Sequence, residues 1–268
     1  MSVQTLYTAA TGMSALETKL DVIANNLANI NTVGFKRDRA NFEDLFYRNE
    51  VVPGSIDDIG NPTAVGTRVG LGTRVSSTQT NFAQGAFELT GGDLDLAIEG
   101  KGFFTVTDPS TGTPLYTRAG NFSVNANNEL VLGSAQTGRV LDPPVVLPTD
   151  VTGIVINPNG QVLVKQQGAP TLTQLAQIQV AVFANPEGLQ KLGENLYGET
   201  SASSTPILGN PGQNGVGVIR QGALESSNVE PVKELIDLIT TQRSFELNSQ
   251  AVQAGDQMLQ LIANLRRG

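Results

Sequence analysis

Apolar residues follow a seven-residue repeat along the first thirty positions of the chain. They occupy two positions of the repeat in four successive heptads: Leu6, Met13, Leu20 and Leu27, followed three residues later by Ala9, Leu16, Ile23 and Ile30. This pattern is typical of a helix that packs against another helix along one face. It predicts a helix over about residues 3–30, ended by the turn-forming residues Asn31, Thr32 and Gly34.

A second long helix is predicted at the other end of the chain. Ser227 and Glu230 fit a capping box, Pro231 suits a first helical turn, and the helical pattern continues to about Arg266. One heptad row is apolar and its neighbour is mixed: Leu238, Phe245, Val252 and Leu259, beside Thr241, Asn248, Gly255 and Ile262.

These helices would be roughly 40 and 50 Å long, at about 1.5 Å per residue. They are too long to bury themselves within a small domain, so they need each other or further copies of the chain. We therefore expect residues 1–32 and 226–268 to form one discontinuous coiled-coil core domain.

The segment between the helices shows the shorter period of β-strands. The apolar runs at 154–156 and 161–164 flank Asn-Pro-Asn-Gly at 157–160, which is a hairpin signal. We predict a mostly antiparallel β domain over residues 80–225, inserted between the helices in an α+β fold. Residues 46–75 show neither period and are rich in Gly and Pro, so residues 33–79 are expected to form an extended connector.

The amino-acid composition excludes several kinds of catalytic and metal-binding site. The 268 residues include no Cys and no His, which excludes a thiol nucleophile, a Ser-His-Asp triad and an ordinary zinc site. The formal charge of −8 makes nucleic acid and anionic membrane surfaces poor partners. Because the sequence has neither a membrane-length apolar stretch nor a signal-peptide pattern, the protein is expected to stay in the cytoplasm or to be exported without cleavage.

The sequence offers one catalytic hypothesis, which depends on two carboxylates. Asp93 and Asp95 could lie on one strand face at the separation that glycan hydrolases use. Their alternation with apolar neighbours is also what any half-buried strand shows. We favour the structural interpretation and assign no catalytic, cofactor-binding or metal-ligating residue.

Three asparagines lie beside the amino-terminal stripe, at Asn25, Asn26 and Asn29. An isolated helix would gain more from Ala, Glu or Lys at these positions, whereas buried amides can hydrogen-bond to neighbouring helices. We interpret them as interface residues; the alternative is an ordinary cap and frayed end near Asn29.

One tight basic cluster follows this segment, formed by Lys36, Arg37 and Arg39. In an acidic chain such a cluster is expected to be a solvated face or an intermolecular salt-bridge site.

The segment 24–36 resembles the amino-terminal signature ANNxANxxTxGFK of the bacterial flagellar rod and hook family. The carboxyl-terminal stretches GALESSNV (222–229), QRSFELN (242–248) and DQML (256–259) are similar to the terminal helix of that family. In the middle, LAIEGKGFF (96–104) and YTRAGNF (116–122) are also similar to it. The resemblance therefore covers nearly the whole chain.

The resemblance implies a structural subunit of the flagellar basal body and not an enzyme. Subunits of this family form a helical tube whose paired terminal helices line the core and whose β domains form the outer wall. The chain length and the stretches 42–47 and 69–75 most resemble the subunit of the distal rod, which transmits torque to the hook. A proximal rod subunit of the same family is the alternative.

Partners and location are also implied by the resemblance. The expected partners are further copies of the chain in a helical homopolymer, neighbouring rod subunits and the hook protein, the surrounding basal-body rings, and the flagellar type III export apparatus. The subunit would span the periplasm after export without a cleaved signal peptide, with no membrane insertion, nucleic acid or cofactor.

The residues expected to make self-assembly contacts lie on the two apolar stripes and in the amino-terminal signature. They are Leu6, Met13, Leu20, Ile23, Asn25, Asn26, Leu27, Asn29, Ile30, Gly34, Phe35, Leu238, Phe245, Asn248, Val252, Leu259 and Ile262.

Overall fold

A computed structural model describes residues 3–54, 56, 61, 64–134, 137–168 and 171–265. Within them the helices are α1 (Val3–Ala28) and α2 (Pro231–Leu265). The strands run in chain order as β1 (Asp38–Asp44), β2 (Tyr47–Val51), β3 (Thr67–Gly70), β4 (Thr73–Thr80), β5 (Phe87–Leu89), β6 (Leu96–Glu99), β7 (Phe103–Thr107), β8 (Pro114–Thr117), β9 (Phe122–Val124), β10 (Leu130–Leu132), β11 (Val140–Leu141), β12 (Val151–Ile156), β13 (Gln161–Gln166), β14 (Thr173–Gln177), β15 (Val180–Val182), β16 (Gln190–Gly193), β17 (Leu196–Gly198), β18 (Ile207–Gly209), β19 (Val218–Gln221) and β20 (Ala223–Glu225).

The chain divides into two compact units. Unit 1 contains α1, β1 to β4 and α2, and unit 2 contains Asn29–Arg37 and β5 to β20. This arrangement confirms the α+β class, with a helix at each end and a mostly antiparallel β-rich middle.

Helix α1 begins at the predicted residue and ends close to the predicted one. Helix α1 stops at Ala28, two residues before the predicted end, where Asn29 to Thr32 form a turn closed by the Thr32 amide on the Asn29 carbonyl (3.3 Å). Helix α2 begins at Pro231 as predicted, but Ser227 is not its cap, because the Ser227 hydroxyl accepts from the Val229 amide. The predicted end at Arg266 lies outside the described residues. Neither described helix has the length and hydropathy to cross a membrane.

The part of unit 1 between the helices is an antiparallel ribbon. Strand β1 pairs with β4 and strand β2 with β3. The Leu45 amide on the Gly72 carbonyl (2.9 Å) and the Leu71 amide on the Phe46 carbonyl (3.1 Å) join the two pairs. The sequence predicted no strand period over 46–75, yet the described residues there include paired strands. Every residue of β2 is exposed, so no face is buried and no apolar alternation marks the strand.

Unit 2 holds the apolar core. Its largest sheet follows the order β16-β17-β8-β7-β11-β10-β9, with β15 pairing β7 and β18 pairing β15, and a second sheet follows the order β12-β13-β14. Buried side chains of both sheets form one cluster with residues from outside them. Its members include Phe104, Leu130 and Leu141 of the largest sheet, Leu96 and Ile98 of β6, which pairs with β19, and Ile178 between β14 and β15. The hairpin predicted at 157–160 joins β12 to β13, with Gly160 at φ +84° in the left-handed region that its turn requires.

A second, aromatic cluster lies beside this core. Phe103, Tyr116, Phe183 and Tyr197 are buried there, and Phe82 packs against them at the surface. Their rings meet mostly edge to face, for example Tyr116 on Phe183 with centroids 4.8 Å apart, which is the arrangement that aromatic quadrupoles favour.

Candidate self-assembly site

The two terminal helices pack against each other in antiparallel directions. Leu6, near the start of α1, lies against Gly255, and Gly12 lies against Asn248. At the other end of α1, Asn26 reaches Glu234. Positions that ascend along α1 therefore meet positions that descend along α2.

Among the predicted apolar residues of α1, Leu6 contacts α2 directly, against Gly255. Ile23 is buried and the other four are half-buried: Leu6, Met13, Leu20 and Leu27. Their burial within one chain is therefore partial.

The α2 side of the seam is the mixed heptad row. Thr241 and Gly255 are buried, Asn248 is half-buried, and Glu234, one heptad earlier, is fully buried. The small residues allow close approach, because a Cβ at Gly255 would lie 2.6 Å from Leu6 Cδ2. The Thr241 hydroxyl donates to the Asp237 carbonyl of its own helix (2.6 Å), so it keeps a hydrogen-bond partner although it is buried in the seam.

The predicted apolar row of α2 is less buried than this mixed row. All four of its members are half-buried: Leu238, Phe245, Val252 and Leu259. The side chain of the last predicted residue, Ile262, lies outside the described residues.

Among the three asparagines, Asn26 is buried and ties α1 to the ribbon. Its Nδ2 donates to the Asp38 carbonyl (2.8 Å) and to Glu234 Oε2 (3.3 Å), while its Oδ1 accepts from the Asp38 amide (2.9 Å). The amide groups of Asn26 are thus used within the chain. Asn25 is exposed, and Asn29 Oδ1 accepts from the Thr32 hydroxyl (3.1 Å) at the turn that ends the helix.

A second apolar face runs along α2, opposite the seam. Six of its side chains are between 47% and 69% exposed: Val232, Ile236, Ile239, Leu247, Met258 and Leu261. At about 3.6 residues per turn these positions fall on one side of the helix, and Thr241 and Gly255 fall on the other. The sequence analysis missed this face because it followed the Leu238 row; the i, i+4, i+7 spacing of the first three members is the signal that would have found it. Arg243 and Gln250 interrupt this side of the helix, but several large apolar side chains exposed on one side are typical of an interaction surface.

The end of the amino-terminal signature lies inside unit 2. Ile30 is half-buried, and Gly34 and Phe35 are buried. Gly34 has φ +69°, and a Cβ there would lie 2.7 Å from the Ala119 amide nitrogen, so only glycine fits. The Phe35 ring lies under the Lys191 ammonium, 4.8 Å from Nζ to the ring centroid. These contacts are all within the chain.

Lys36 is the deepest part of this loop, and the expectation of a solvated basic cluster is wrong for it. Its side chain is fully buried, and Nζ donates to Glu225 Oε1 (2.5 Å) and to the Ala83 carbonyl (2.8 Å). Arg118, also buried, approaches the other carboxylate oxygen of Glu225 (3.4 Å). Arg39, by contrast, is exposed and hydrogen-bonds to Gln79.

Burial governs the charges of this cluster. It lowers the pKa of the Lys36 ammonium, against the opposing attraction of Glu225, and it lowers the pKa of the Arg118 guanidinium in the same way. Two cations therefore share one carboxylate in the described interior. Sequence reasoning could not find Glu225 and Arg118, because they lie 189 and 82 positions after Lys36.

Comparison with known proteins is consistent across the chain. Three family profiles match separate segments: "Flagella basal body rod protein" over residues 6–36, "Flagellar hook protein FlgE/F/G D1 domain" over 97–164, and "Flagellar basal body rod FlgEFG protein C-terminal" over 220–265. The flagellar basal-body rod protein FlgG of Caulobacter vibrioides is 44% identical over 264 residues, which cover 98% of this chain and 99% of the relative. The chain belongs to the flagellar basal-body rod protein family.

A more distant relative agrees with this assignment. FlgG of Bacillus subtilis is 38% identical over 269 residues, covering 98% of this chain and 99% of the relative. The flagellar hook protein FlgE2 of Helicobacter pylori aligns with 71% of this chain and 43% of its own at 15% identity, with a TM-score of 0.25, which carries no argument about the fold. The matched families are structural and none is catalytic, so they lend no support to a hydrolase at Asp93 and Asp95. The chain is a structural subunit of the rod in the flagellar basal body.

Proposed function

We propose that the chain is the structural subunit of the flagellar distal rod and that it assembles with further copies into a helical tube. Full-length similarity to FlgG proteins supports the distal rod. The second apolar face of α2 supports assembly, because it remains exposed after α1 has packed on the other side. In the assembled rod this face lies against helices of neighbouring copies, and α1 and α2 together form a coiled-coil core.

The area of this face sets the scale of the contact. Fully burying one such side chain contributes about 1.5–3 kcal/mol, so six roughly half-exposed side chains contribute on the order of 6 kcal/mol. Micromolar affinity requires about 8 kcal/mol. One helix face is therefore too weak alone, and each subunit needs several neighbours, as a helical tube provides.

The family resemblance supports the remaining parts of the proposal. The rod spans the periplasm and transmits torque from the motor to the hook. Its subunits are exported by the flagellar type III apparatus without a cleaved leader. Neighbouring rod subunits, the hook protein and the surrounding basal-body rings are its other partners.

A pair of substitutions on α2 tests assembly. Ile239→Asp places a carboxylate on the second apolar face, where burial between subunits costs several kcal/mol. Gln242→Asp introduces the same carboxylate three residues later, at an exposed position outside both apolar faces. We expect wild type and Gln242→Asp to form tubes by electron microscopy and to sediment as polymer, and Ile239→Asp to remain soluble.

Two results would contradict the proposal. If Ile239→Asp polymerises like Gln242→Asp, the second face of α2 is not an assembly surface. If wild type forms only dimers, the outward faces of two copies pair with each other and no tube is built.

A further inference from the structure

Unit 2 contains a surface pocket next to the buried ion cluster, with a volume of about 190 Å³. Its lining consists of Phe82, Lys101, Gly102, Phe103, Arg118, Val182, Phe183, Ala184 and Pro186. A cavity of about 150 Å³ with apolar walls holds a benzene molecule. This aromatic pocket therefore has room for one aromatic side chain.

The walls suit an aromatic guest. Phe103 stands edge-on to Phe183, with centroids 5.8 Å apart, and edge-on to Phe82, with centroids 5.4 Å apart. A further ring entering between them can continue the same edge-to-face array, which contributes about 0.5–1.5 kcal/mol per pair beyond the burial of area.

The charges beside the pocket favour a guest that also carries a carboxylate. The Arg118 guanidinium lies over the Phe103 ring, 5.4 Å from its centroid. Arg118 shares Glu225 with Lys36, so the buried cluster has an excess positive charge, and Arg118 Nε has no hydrogen-bond partner among the described residues. Lys101 adds an exposed ammonium at the rim, without an ion pair in the described part of the chain.

The ribbon of unit 1 carries a group with matching chemistry. Phe46 is 88% exposed, the highest value among the large apolar side chains that the structure describes. Asp44 and Phe46 are both exposed, two residues apart where β1 leads into β2. The Asp44 carboxylate lies next to the Tyr47 hydroxyl, whose pKa it raises. An exposed aromatic ring and an exposed carboxylate thus lie close together in the sequence of the ribbon.

We propose that the aromatic pocket receives Phe46 of a second copy of this chain, with the Asp44 carboxylate of that copy next to Lys101 and Arg118. The contact rests on the self-assembly proposed above. It joins the ribbon of one subunit to unit 2 of another, apart from the helix contacts. It also explains why a cation-rich interior opens toward the surface of an acidic protein.

Disulfide trapping tests the contact, and the natural chain contains no cysteine to interfere. Chains with Phe46→Cys are mixed with chains with Lys101→Cys, assembled and oxidised, so that only a contact between copies gives a cross-linked dimer. A mixture of Phe46→Cys with Lys165→Cys, an exposed lysine of β13 outside the pocket, is the control. We expect dimers on a denaturing gel from the first mixture alone.

A charge exchange provides the second measurement. Lys101→Glu is expected to raise the critical concentration for polymerisation about two- to fivefold, since an exposed ion pair is worth up to about 1 kcal/mol. Adding Asp44→Lys to the same chain should restore it. Phe46→Ala should raise it about thirtyfold, the effect of losing an aromatic anchor worth about 2 kcal/mol.

The outcomes separate the two proposals. Tubes that form without the Phe46–Lys101 cross-link, or with equal cross-linking in the control, overturn the pocket contact and leave the proposed function standing. If adding Asp44→Lys to Lys101→Glu does not restore assembly, the proposed ion pair between Asp44 and Lys101 is wrong. A wild-type chain that forms no polymer overturns both.

Discussion

The buried cluster of Lys36, Arg118 and Glu225 gives an asymmetric prediction for stability. Glu225→Gln removes the carboxylate that both cations share, whereas Lys36→Met removes one cation and leaves a one-to-one pair. If the cluster is cation-rich, the first change must destabilise unit 2 far more than the second.

The contacts of the cluster determine how far each substitution should lower the free energy of unfolding. Glu225→Gln leaves two buried cations unpaired, and breaking a buried ion pair from one side costs about 3–5 kcal/mol. After Lys36→Met, Glu225 still has Arg118, and the Ala83 carbonyl still accepts from Asn228 Nδ2 (3.0 Å). The loss is then near that of one hydrogen bond, about 1 kcal/mol.

Differential scanning calorimetry of the full-length variants measures the difference. One kcal/mol shifts the Tm by about 2–4 °C for a unit of this size, so Glu225→Gln is expected to lower the unit 2 transition by about 6–20 °C. Lys36→Met should lower it by about 4 °C or less. Equal shifts, or a larger shift for Lys36→Met, would refute the interpretation of two cations sharing one carboxylate.

Three further predictions concern the two units. Burial lowers the pKa of Lys36 below 10.5, so as pH rises toward 10.5 the unfolded chain holds more protons at Lys36 than the folded chain, and the free energy of unfolding increases with pH. In urea unfolding, the stability of wild type relative to Lys36→Met should therefore increase over that range. Gly34→Ala adds a collision with Ala119 to an unfavourable φ and should cost clearly more than about 1 kcal/mol in urea unfolding, and more than Gly112→Ala, which has φ +68° and no atom within 4 Å of the added Cβ. In hydrogen exchange on the unassembled chain, α1 and α2 should exchange faster than the unit 2 core strands, because few helix side chains are buried; equal protection would mean that the helix pair is stable without neighbours.

Long periodic segments could be predicted well from the sequence. The Leu6 heptads located α1 to within two residues at its end, and Pro231 located the start of α2. The 157–160 turn also predicted its hairpin. In each case the signal is local, since a helix stripe or a turn residue acts over a few positions.

Features set by distant partners could not be predicted. Lys36 resembles a surface lysine until Glu225 is placed next to it, 189 positions away. The β2–β3 ribbon has no buried face, so its strands leave no apolar alternation. The aromatic pocket could not be predicted either, because its walls come from segments that lie far apart in the chain.

The two faces of α2 also explain why its pattern looked ambiguous. A row containing Thr241 and Gly255 packs on α1, while Ile236, Ile239 and other apolar residues point outward. A two-helix coiled coil would place its most apolar row inward, so this pair buries the less apolar side of α2. The arrangement stabilises an isolated chain weakly and leaves most of the available burial for contacts between chains. We therefore expect folding of the helix pair to be coupled to assembly, because neighbours that bury the outer face would also hold the inner seam together.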